Sequence, residues 1–407
     1  MSSLKNYVRF LILLFFLGEI SCTEPYAAID QHYDSLLVVE ANITDSLQNH
    51  YIKLSRTNPI NSYEKNTEKN AQVWIVSNTG EEFDFNENDD GEYVSTVEFA
   101  LQNDKSYTLH IKTSDGHEYQ SDEEKLPEEV IVDVTTTVVN NDSGQKGVDI
   151  RAGVIGTDDE PFFVKYEFTE QYKIVTLIDI PYDYSLENLI IDDEPTDDDC
   201  TTDFDIVYTE RTENSSICYS FPTYSNNIVQ GSSVGFNGNS IPELSLHFIQ
   251  EDEYKLRERC SILVRVYSQN YSAYEYFRKI KELNQNDSEL STQQPGYIHG
   301  NIHSVTNSDE NVLGLFNVCA LAQKRIFFDY TDFGFIQPSY FAQLRLINIA
   351  PLSTPCPGPT YKDSIVELRR LNYQLYVPGV LHIFANPACS DCRSYGANVA
   401  PDYWEEE

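Results

Sequence analysis

The sequence predicts a mainly β protein in which two β-rich regions follow each other along the chain. Its 407 residues exceed the size of one ordinary domain, so two domains are expected. Short segments rich in β-branched and aromatic residues alternate apolar and polar side chains, which is the pattern of half-buried strands. Glycine-containing turn sequences separate these segments, as in antiparallel hairpins.

The N-terminal region, residues 36–126, contains the clearest strand pattern. In YTLHIKT, residues 107–113, apolar and polar side chains alternate, and Asp115-Gly116 then supplies a tight turn before HEYQS. Five to seven such strands in about 90 residues predict a small β-sandwich, immunoglobulin-like or prealbumin-like. The charged segment SDEEKLPEE marks its end.

The second region, residues 130–385, is predicted to be a larger β-rich domain with one or a few helices. Segments such as VIVDVTTTVV, FFVKYEF and SILVRVYSQ favour strands. One helix is predicted over SAYEYFRKIKEL, because Ser272 and Glu275 have the spacing of a capping box and an apolar stripe follows. Residues 386–407 form a C-terminal tail that contains a Cys-x-x-Cys sequence.

The N-terminus has the features of an export signal. Two basic residues precede the apolar run Phe10–Leu17, which predicts a signal peptide over residues 1–21. The Ser-Cys pair ending at Cys22 resembles the end of a bacterial lipobox, so we expect lipidation of Cys22, with residues 22–35 as a tether. Plain secretion is the alternative. The apolar run is too short to span a bilayer as a helix, and no later segment is long enough.

The charge of the chain narrows the classes of partner. The formal net charge is −37, from 28 Lys and Arg against 65 Asp and Glu. Because nucleic-acid binding depends on basic residues that neutralise phosphates, nucleic acid is not expected as a partner. The acidity favours a well-hydrated surface, and the acidic loop Asp192–Asp199 is expected to be solvated, with weak calcium binding as the alternative.

The Cys-x-x-Cys sequence of Cys389 and Cys392 has three possible roles. In an exported protein disulfides form and persist, so we expect these cysteines to bridge each other, or one or both to bridge Cys356. A zinc site made by the same three cysteines and His382 is the first alternative. A redox-active pair is the second.

A second disulfide is predicted across the acidic loop. Cys200 and Cys218 lie close in sequence, and such a bridge would stabilise the protein by about 3 kcal/mol in the loop-entropy account. Once Cys22 is set aside, seven of the eight cysteines remain. Because seven is odd, at least one thiol stays outside a disulfide within the chain.

One sequence has the pattern of a hydrolase nucleophile. GSSVG, residues 231–235, makes Ser233 a nominal nucleophile of the G-x-S-x-G type, which requires a strand, a sharp turn and a helix. The breakers and proline of the following FNGNSIP exclude a helix there, so a glycine-rich loop is the preferred interpretation. No catalytic residue is predicted.

Two other sequences have partial metal-binding patterns. NENDDG matches the first half of a calcium loop, but Val97 occupies the twelfth position, where a glutamate is needed, so a hairpin turn is predicted. His299 and His303 in HGNIH are expected on a strand as surface histidines. No metal ligand and no cofactor are predicted.

Several segments together resemble a known family. These are CTEPY from Cys22, LLVVEANIT from Leu36, VRVYSQNYSAYEYF, IHGNI from Ile298 and the closing CSDCRSYGANVAPDYW. They resemble the Bacteroidota outer-membrane lipoproteins catalogued as domain of unknown function 4249. The resemblance implies a lipid-anchored outer-membrane protein, often encoded beside TonB-dependent transporters, and it implies no established reaction.

We therefore expect a non-enzymatic outer-membrane lipoprotein. Its predicted role is that of an accessory or binding subunit of a TonB-dependent transporter, which captures a nutrient or an iron-bearing ligand. The expected partners are the transporter β-barrel and the membrane, the latter through the lipid on Cys22. A structural or adhesive surface protein is the alternative, and an envelope hydrolase is a third, less favoured one. The ligand and the face of the membrane stay open.

Overall fold

A computed structural model of the chain describes residues 35–58, 66–191, 202–236, 239–285, 298–350, 360–379 and 381–406. This part of the chain is mainly β, as the sequence predicts. The N-terminal strands are β1 (Leu37–Thr44), β2 (Tyr51–Arg56), β3 (Gln72–Ser77), β4 (Glu82–Glu87), β5 (Tyr93–Ser95), β6 (Ser106–Lys112), β7 (Glu118–Ser121) and β8 (Glu124–Lys125). The predicted strand in YTLHIKT is thus β6, and it forms an antiparallel hairpin with β7.

Longer strands build the middle of the chain. They are β9 (Val130–Asn140), β10 (Lys146–Gly156), β11 (Phe163–Val175), β12 (Tyr182–Ile190), β13 (Asp203–Glu210), β14 (Ile217–Ser220), β15 (Thr223–Tyr224), β16 (Val229–Ser232), β17 (Ser240–Gln250) and β18 (Cys260–Gln269). The remaining elements are α1 (Tyr271–Gln285), β19 (Ile302–Ser304), β20 (Leu313–Phe328), β21 (Leu346–Ile349), α2 (Tyr361–Arg370), β22 (Gln374–Val377), β23 (His382–Ala385), α3 (Pro387–Ser390) and β24 (Gly396–Ala397).

One sheet connects the N-terminal and middle regions. Its strand order is β19-β7-β6-β3-β4-β5-β2-β1-β20-β18-β11-β14-β24. The first half of β20 pairs in parallel with β1, and its second half pairs antiparallel with β18. Because β20 belongs to both halves of the sheet, the two regions share one strand.

In the described ranges, the N-terminal core contains 22 buried apolar residues, between Leu37 and Leu126 and between Ile302 and Ala320. Strand β1 shows how the pattern arises, because its buried residues alternate with more exposed ones before both faces become buried at its end. Phe316 and Val318 of β20 enter this core, although they lie about 190 residues beyond Leu126 in the sequence. The N-terminal sandwich is therefore completed by a segment outside residues 36–126.

Two glycines and an asparagine fasten this late segment to β1. Gly314 has a φ of 100°, and a Cβ there would lie 1.9 Å from the carbonyl oxygen of Val39. A Cβ on Gly300 would lie 1.6 Å from the carbonyl oxygen of Gly314. The side chain of Asn301 accepts the N–H of Phe316 at 2.9 Å and donates to its carbonyl at 2.8 Å. The IHGNI segment thus forms a close backbone crossing that only glycine permits.

A central core lies between two groups of strands. One group is the sheet β17-β10-β9, and the other contains β11, β18 and the second half of β20. Glu170 is buried at the edge of this core, with His247 Nε2 at 2.8 Å and Lys255 Nζ at 2.7 Å from its carboxylate. Burial raises the pKa of Glu170, but the hydrogen bonds from these two residues lower it by a larger amount. The pKa of Glu170 therefore lies below its usual value.

The predicted helix is present, but its first residue differs from the expectation. Helix α1 begins at Tyr271, so Ser272 lies inside the first turn and does not cap it. Glu275 instead binds Arg278, which donates to both of its carboxylate oxygens at 2.8 and 2.7 Å. The capping-box prediction was therefore wrong, because the helix begins one residue before Ser272, and Glu275 pairs with Arg278 one turn further along.

The C-terminal region has a smaller core. Sheet β21-β23-β22, helix α2 and strand β13 contribute its five buried apolar residues. These are Phe204, Ile365, Leu368, Leu375 and Phe384. Helix α2 begins after Thr360, which forms a capping box with Asp363.

None of the helices in the described ranges is both long and apolar enough to cross a membrane.

Candidate binding site

A disulfide fixes the C-terminal tail to the middle of the chain. Cys218 on β14 is bonded to Cys392, with the two Cα atoms 5.7 Å apart. Cys389 is a free, buried thiol whose Sγ lies 3.6 Å from the carbonyl oxygen of Ala342. Burial raises the pKa of this thiol, so it stays protonated and unreactive.

This pairing corrects two expectations. Cys218 does not bridge Cys200, because its sulfur is bonded to Cys392, 174 residues away. Cys389 and Cys392 do not bridge each other, although Cys392 does act as a disulfide staple. Such a long-range partner is set by the fold and has no local sequence signal.

The zinc alternative loses a ligand in the same way. Cys392 cannot supply a thiolate, and the ring of His382 is 2.9 Å from the hydroxyl of Tyr208. Within the described residues, no group of three or more His, Cys, Asp or Glu side chains is arranged to hold a metal ion. Residues 1–21, Cys22 and its tether up to residue 34, the acidic loop Asp192–Asp199, Cys200 and Cys356 all lie outside the described residues.

Ser233 lies in a turn and uses its hydroxyl for structure. The hydroxyl oxygen accepts the N–H of Phe162 at 2.9 Å, and the Ser233 N–H donates to the Phe162 carbonyl at 3.0 Å. Ser233 is buried, and the chain turns through Gly235, whose φ is 90°. A nucleophile elbow needs an exposed hydroxyl followed by a helix, and neither feature is present here.

The other partial metal motifs also have local structural roles. In NENDDG, the Asn88 side chain accepts the N–H groups of Asp90 and Glu92, and Gly91 has a φ of 76°, so the segment is the predicted β4–β5 hairpin turn. His299 is exposed, and His303 lies on β19 with its Nδ1 3.8 Å from Asp122.

A polar surface cavity of about 450 Å³ lies where the β12–β13 hairpin, helix α2, strand β22 and the tail meet. We call it the polar cavity. Its lining residues are Asp183, Tyr184, Arg369, Asn372, Tyr373, Gln374, Asp391, Arg393 and Ser394. Its volume is in the range of small-molecule binding sites, but its lining is far more polar than is usual for them.

A buried guanidinium positions one wall of the polar cavity. The side chain of Arg211 is 3% exposed, and its Nε and Nη2 donate to Asp183 Oδ1 at 2.9 and 2.5 Å. Nη2 also donates to Gln374 Oε1 at 2.8 Å. Because one rigid, charged group holds both side chains, Asp183 and Gln374 keep fixed orientations.

The tail supplies the opposite wall. Arg393 donates from Nε and Nη2 to the two oxygens of Asp391 at 2.9 and 2.6 Å, and from Nη1 to Glu213 at 3.3 Å. Burial raises the pKa of Asp391, but the hydrogen bonds from Arg393 lower it more, so the carboxyl is ionised at neutral pH. The neighbouring Cys392 anchors this wall through its disulfide.

Two tyrosines and an arginine complete the cavity. The Tyr184 hydroxyl donates to the Tyr373 carbonyl at 3.0 Å, and Arg369 Nη1 donates to the Tyr184 carbonyl at 2.8 Å. Burial raises the pKa of Tyr184 to about 12, so its hydroxyl stays protonated. The lining is therefore held by hydrogen bonds before any ligand arrives.

A second cavity, of about 420 Å³, lies between α1 and strands β1, β2 and β20. Its lining is mainly apolar, with Phe277 and Leu315 among its residues. The lysines that border it have partners, since Lys165 is 2.8 Å from Glu167 and Lys53 is 3.0 Å from Glu92. Polar side chains converge in the polar cavity instead, which is our candidate site.

Sequence reasoning did not find this site. Its residues come from three separate segments, and none of them belongs to a recognised motif. The one available signal was the Asp-Cys-Arg-Ser order around Cys392, which places two charged residues beside a disulfide. The segment was identified through its cysteines, but no role was assigned to the neighbouring Asp391 and Arg393.

Comparison with known families explains where the resemblance lies. The family described as domain of unknown function 4249 matches residues 23–325, about three quarters of the chain. The matched part includes Asp183 and Tyr184, while the cavity residues from Arg369 onward follow it. No curated protein matches the chain. A match of this extent shows that the chain belongs to the domain of unknown function 4249 family.

Proposed function

We propose that the protein is a non-enzymatic, lipid-anchored subunit of the outer membrane that captures a ligand for a TonB-dependent β-barrel transporter. The observation that carries this proposal is the preformed polar cavity. Its charged side chains hold each other in place, and the described residues bring no activated nucleophile or metal-ligand group into it. Such a site is suited to binding, because its side chains are already ordered and lose little conformational entropy when a ligand enters.

The N-terminal tether supports the membrane part of the proposal. Lipid on Cys22 would be followed by residues up to 35 before β1 begins at Leu37. A chain of that length reaches at most about 50 Å when fully extended. The body of the protein would stay within this distance of the membrane, and a barrel in the same membrane would meet it at a high effective concentration.

The charge of the chain suggests how such a partner would be held. A net charge of −37 repels other acidic proteins at long range, so a stable complex depends on short-range burial. Exposed aromatic residues such as Phe221 and Tyr224, 61% and 62% exposed, are suited to the core of such an interface. We therefore expect the complex to persist as the salt concentration is raised.

The test is affinity purification of the tagged full-length protein from mildly cross-linked cells, with mass spectrometry of the partners. Recovery of an outer-membrane β-barrel, retained in high salt, supports the proposal. If no barrel is recovered, the transporter role is wrong, and a structural or adhesive role is favoured instead.

The lipid anchor is tested separately. Cys22→Ala should move the protein from the membrane fraction to the soluble fraction. A Cys389→Ser variant is the matched control, since this free thiol lies in the tail. Retention of the Cys22→Ala protein on membranes in high salt would contradict lipid anchoring.

A further inference from the structure

We infer that the polar cavity takes an uncharged, hydroxyl-rich ligand, that is, a saccharide. This inference rests on the proposed role in ligand capture and specifies the chemical class of the ligand. It follows from three properties of the lining: its charges cancel, its neutral groups both donate and accept hydrogen bonds, and two aromatic rings contribute to it.

The charged groups around the cavity are balanced, and two of the three arginines are paired with carboxylates. Asp183 is bound by Arg211, and Asp391 by Arg393, which also contacts Glu213. Arg369 adds a positive charge and donates to the Tyr184 carbonyl. Three arginines therefore stand against three carboxylates.

This balance disfavours charged ligands. Among the described residues, only Arg369 faces the cavity without a carboxylate partner, and it already donates to the Tyr184 carbonyl. To gain a second cationic partner, an anion would have to take Arg393 or Arg211 from the carboxylate that holds it, against the field of a chain with net charge −37. A cation would have to displace an arginine from Asp183 or Asp391, and the displaced guanidinium would lose its charge-assisted hydrogen bonds. An uncharged ligand requires neither exchange.

The neutral lining groups match hydroxyls. Asn372 offers amide donors and a carbonyl acceptor, and Ser394 offers a hydroxyl. The Gln374 side chain is held in place, because its Oε1 accepts from Arg211 and its Nε2 donates to the Asn372 carbonyl. Paired carboxylates and guanidinium groups keep further acceptor and donor positions, because a carboxylate has about four lone-pair sites and a guanidinium five N–H groups. A saccharide hydroxyl both donates and accepts, so it can satisfy either kind of group.

The two tyrosine rings add a small amount of apolar surface to a mainly polar lining. Tyr184 is fixed by its hydroxyl bond to Tyr373, and its ring lies 5.6 Å from the centroid of Phe384 and beneath the Arg369 guanidinium. A sugar presents C–H groups as well as hydroxyls and is suited to such a mixed lining. A wholly apolar ligand would displace water from the seven polar or charged lining residues, and it could not offer hydrogen bonds in place of those that the water had made.

The test is isothermal titration calorimetry of the mature, unlipidated chain with size-matched trisaccharides. The neutral probes are the trisaccharides of glucose, galactose, mannose and xylose, the anionic probe is trigalacturonate, and the cationic probe is the glucosamine trimer. At least one neutral probe should bind about tenfold more tightly than both charged probes. No binding of any neutral probe at millimolar concentration, or tighter binding of a charged probe, would overturn the inference.

Variants locate the binding. Ser394→Ala and Asn372→Gly should each weaken binding of the neutral probe by about tenfold, because each removes a polar side-chain group of the lining, and glycine keeps the positive φ of 58° at residue 372. Asp142→Asn, on the β9–β10 turn and away from the cavity lining, is the control and should bind as the parent does. Equal binding by all three variants would place the sugar elsewhere and contradict the assignment.

The two proposals fail in different ways. Recovery of a barrel without saccharide binding leaves the transporter role standing and overturns the ligand class. Saccharide binding without a barrel overturns the transporter role and leaves the ligand class standing.

Discussion

The N-terminal sandwich and the C-terminal region keep their structure by different means. Among the residues that the structure describes, the sandwich has a core of 22 buried apolar residues, and the C-terminal region has one of five. The C-terminal region adds the Cys218–Cys392 disulfide and a buried guanidinium, Arg211. A region with a small core needs such cross-links, because burial alone scales poorly with size.

This difference explains where the polar cavity lies. In the sandwich, inward-facing side chains fill the interior, and a polar cavity would cost buried apolar area. In the C-terminal region, covalent and ionic links hold the backbone, so polar side chains such as Asp183 and Arg393 are free to line a surface cavity. One set of residues stabilises the region, and their neighbours line the cavity for which we propose a binding role.

The two tryptophans of the chain report on different contacts: Trp74 on the sandwich, and Trp404 on the attachment of the C-terminal tail to β14 and β20. Trp74 lies on β3 of the sandwich, with its ring centroid 5.2 Å from that of His110. Trp404 lies in the tail and packs against Tyr219 and Phe327, with centroid distances of 4.8 and 5.5 Å. Single-tryptophan variants, Trp74→Phe and Trp404→Phe, therefore let fluorescence follow each region as urea unfolds it.

The largest expected effect is that of removing the disulfide. The bridge joins residues 174 apart, and the loop-entropy account gives about 5 kcal/mol for a loop of that length. The double variant Cys218→Ser, Cys392→Ser should lower the urea midpoint reported by Trp404 much more than that reported by Trp74. Cys389→Ser removes a thiol but no bridge and is the control. Equal shifts at both tryptophans would show that the two regions unfold as one unit.

The next largest effect should come from the N-terminal core. Phe316 is fully buried there, so Phe316→Ala should cost about 3–5 kcal/mol in the free energy of unfolding reported by Trp74. The exposed Leu47, 71% accessible, serves as control, and Leu47→Ala should change stability by less than about 0.5 kcal/mol. Because Phe316 lies on the shared strand β20, the accompanying shift at Trp404 measures the coupling between the regions.

These regions also differ in how far the sequence predicted them. The period-two pattern predicted β6, and the Asp115-Gly116 turn predicted its hairpin with β7, because both are local features. The parallel pairing of β1 with β20 was not predicted, since it joins Val38 to Leu313 and no local pattern encodes such a partner. Local periodicity therefore recovers strands and hairpins but not the way in which the two regions are joined.

The candidate site was even less accessible to prediction. Asp183 lies on β12, Gln374 on β22 and Asp391 in the tail, and only the folded chain brings them together. The disulfide that fixes the tail was predicted for Cys392 but with the wrong partners. Pairing between distant segments depends on the whole fold, and the cavity depends on that pairing.

A third, smaller effect compares two arginines of the C-terminal region. Arg211 is buried and holds Asp183 and Gln374, so Arg211→Ala should cost about 2 kcal/mol at Trp404 and weaken ligand binding. Arg370 is 70% exposed and pairs with Glu367 on the surface of α2, so Arg370→Ala should cost less than about 0.5 kcal/mol. Both substitutions are made in the Trp74→Phe variant, in which Trp404 is the remaining tryptophan, and the free energies of unfolding in urea are compared. A loss at Arg370 as large as that at Arg211 would contradict the role assigned to the buried guanidinium.

The smallest effect should be the contribution of Asp391 to acid sensitivity. Burial raises its pKa, but Arg393 lowers it more, so the folded-state pKa lies below the usual value of 3.8. A carboxyl with a lowered pKa stabilises the folded state above its unfolded pKa, and this stabilisation is lost as the pH falls through the folded pKa. Between about pH 5 and 7, therefore, Asp391 should add no pH dependence, and below about pH 4 its contribution should decline.

The matched variant is Asp391→Asn, which keeps the shape of the side chain but cannot titrate. Because many other carboxylates protonate in the same range, only the difference between parent and variant isolates Asp391. That difference, measured by urea unfolding at a series of pH values, should shrink below about pH 4 at Trp404 and stay near zero throughout at Trp74. The effect is small because protonated Asp391 still accepts hydrogen bonds from Arg393 and the disulfide still holds the neighbouring Cys392. An equal difference at Trp74 would mean that the ion pair stabilises the whole chain, and the division of labour between the two regions would not hold.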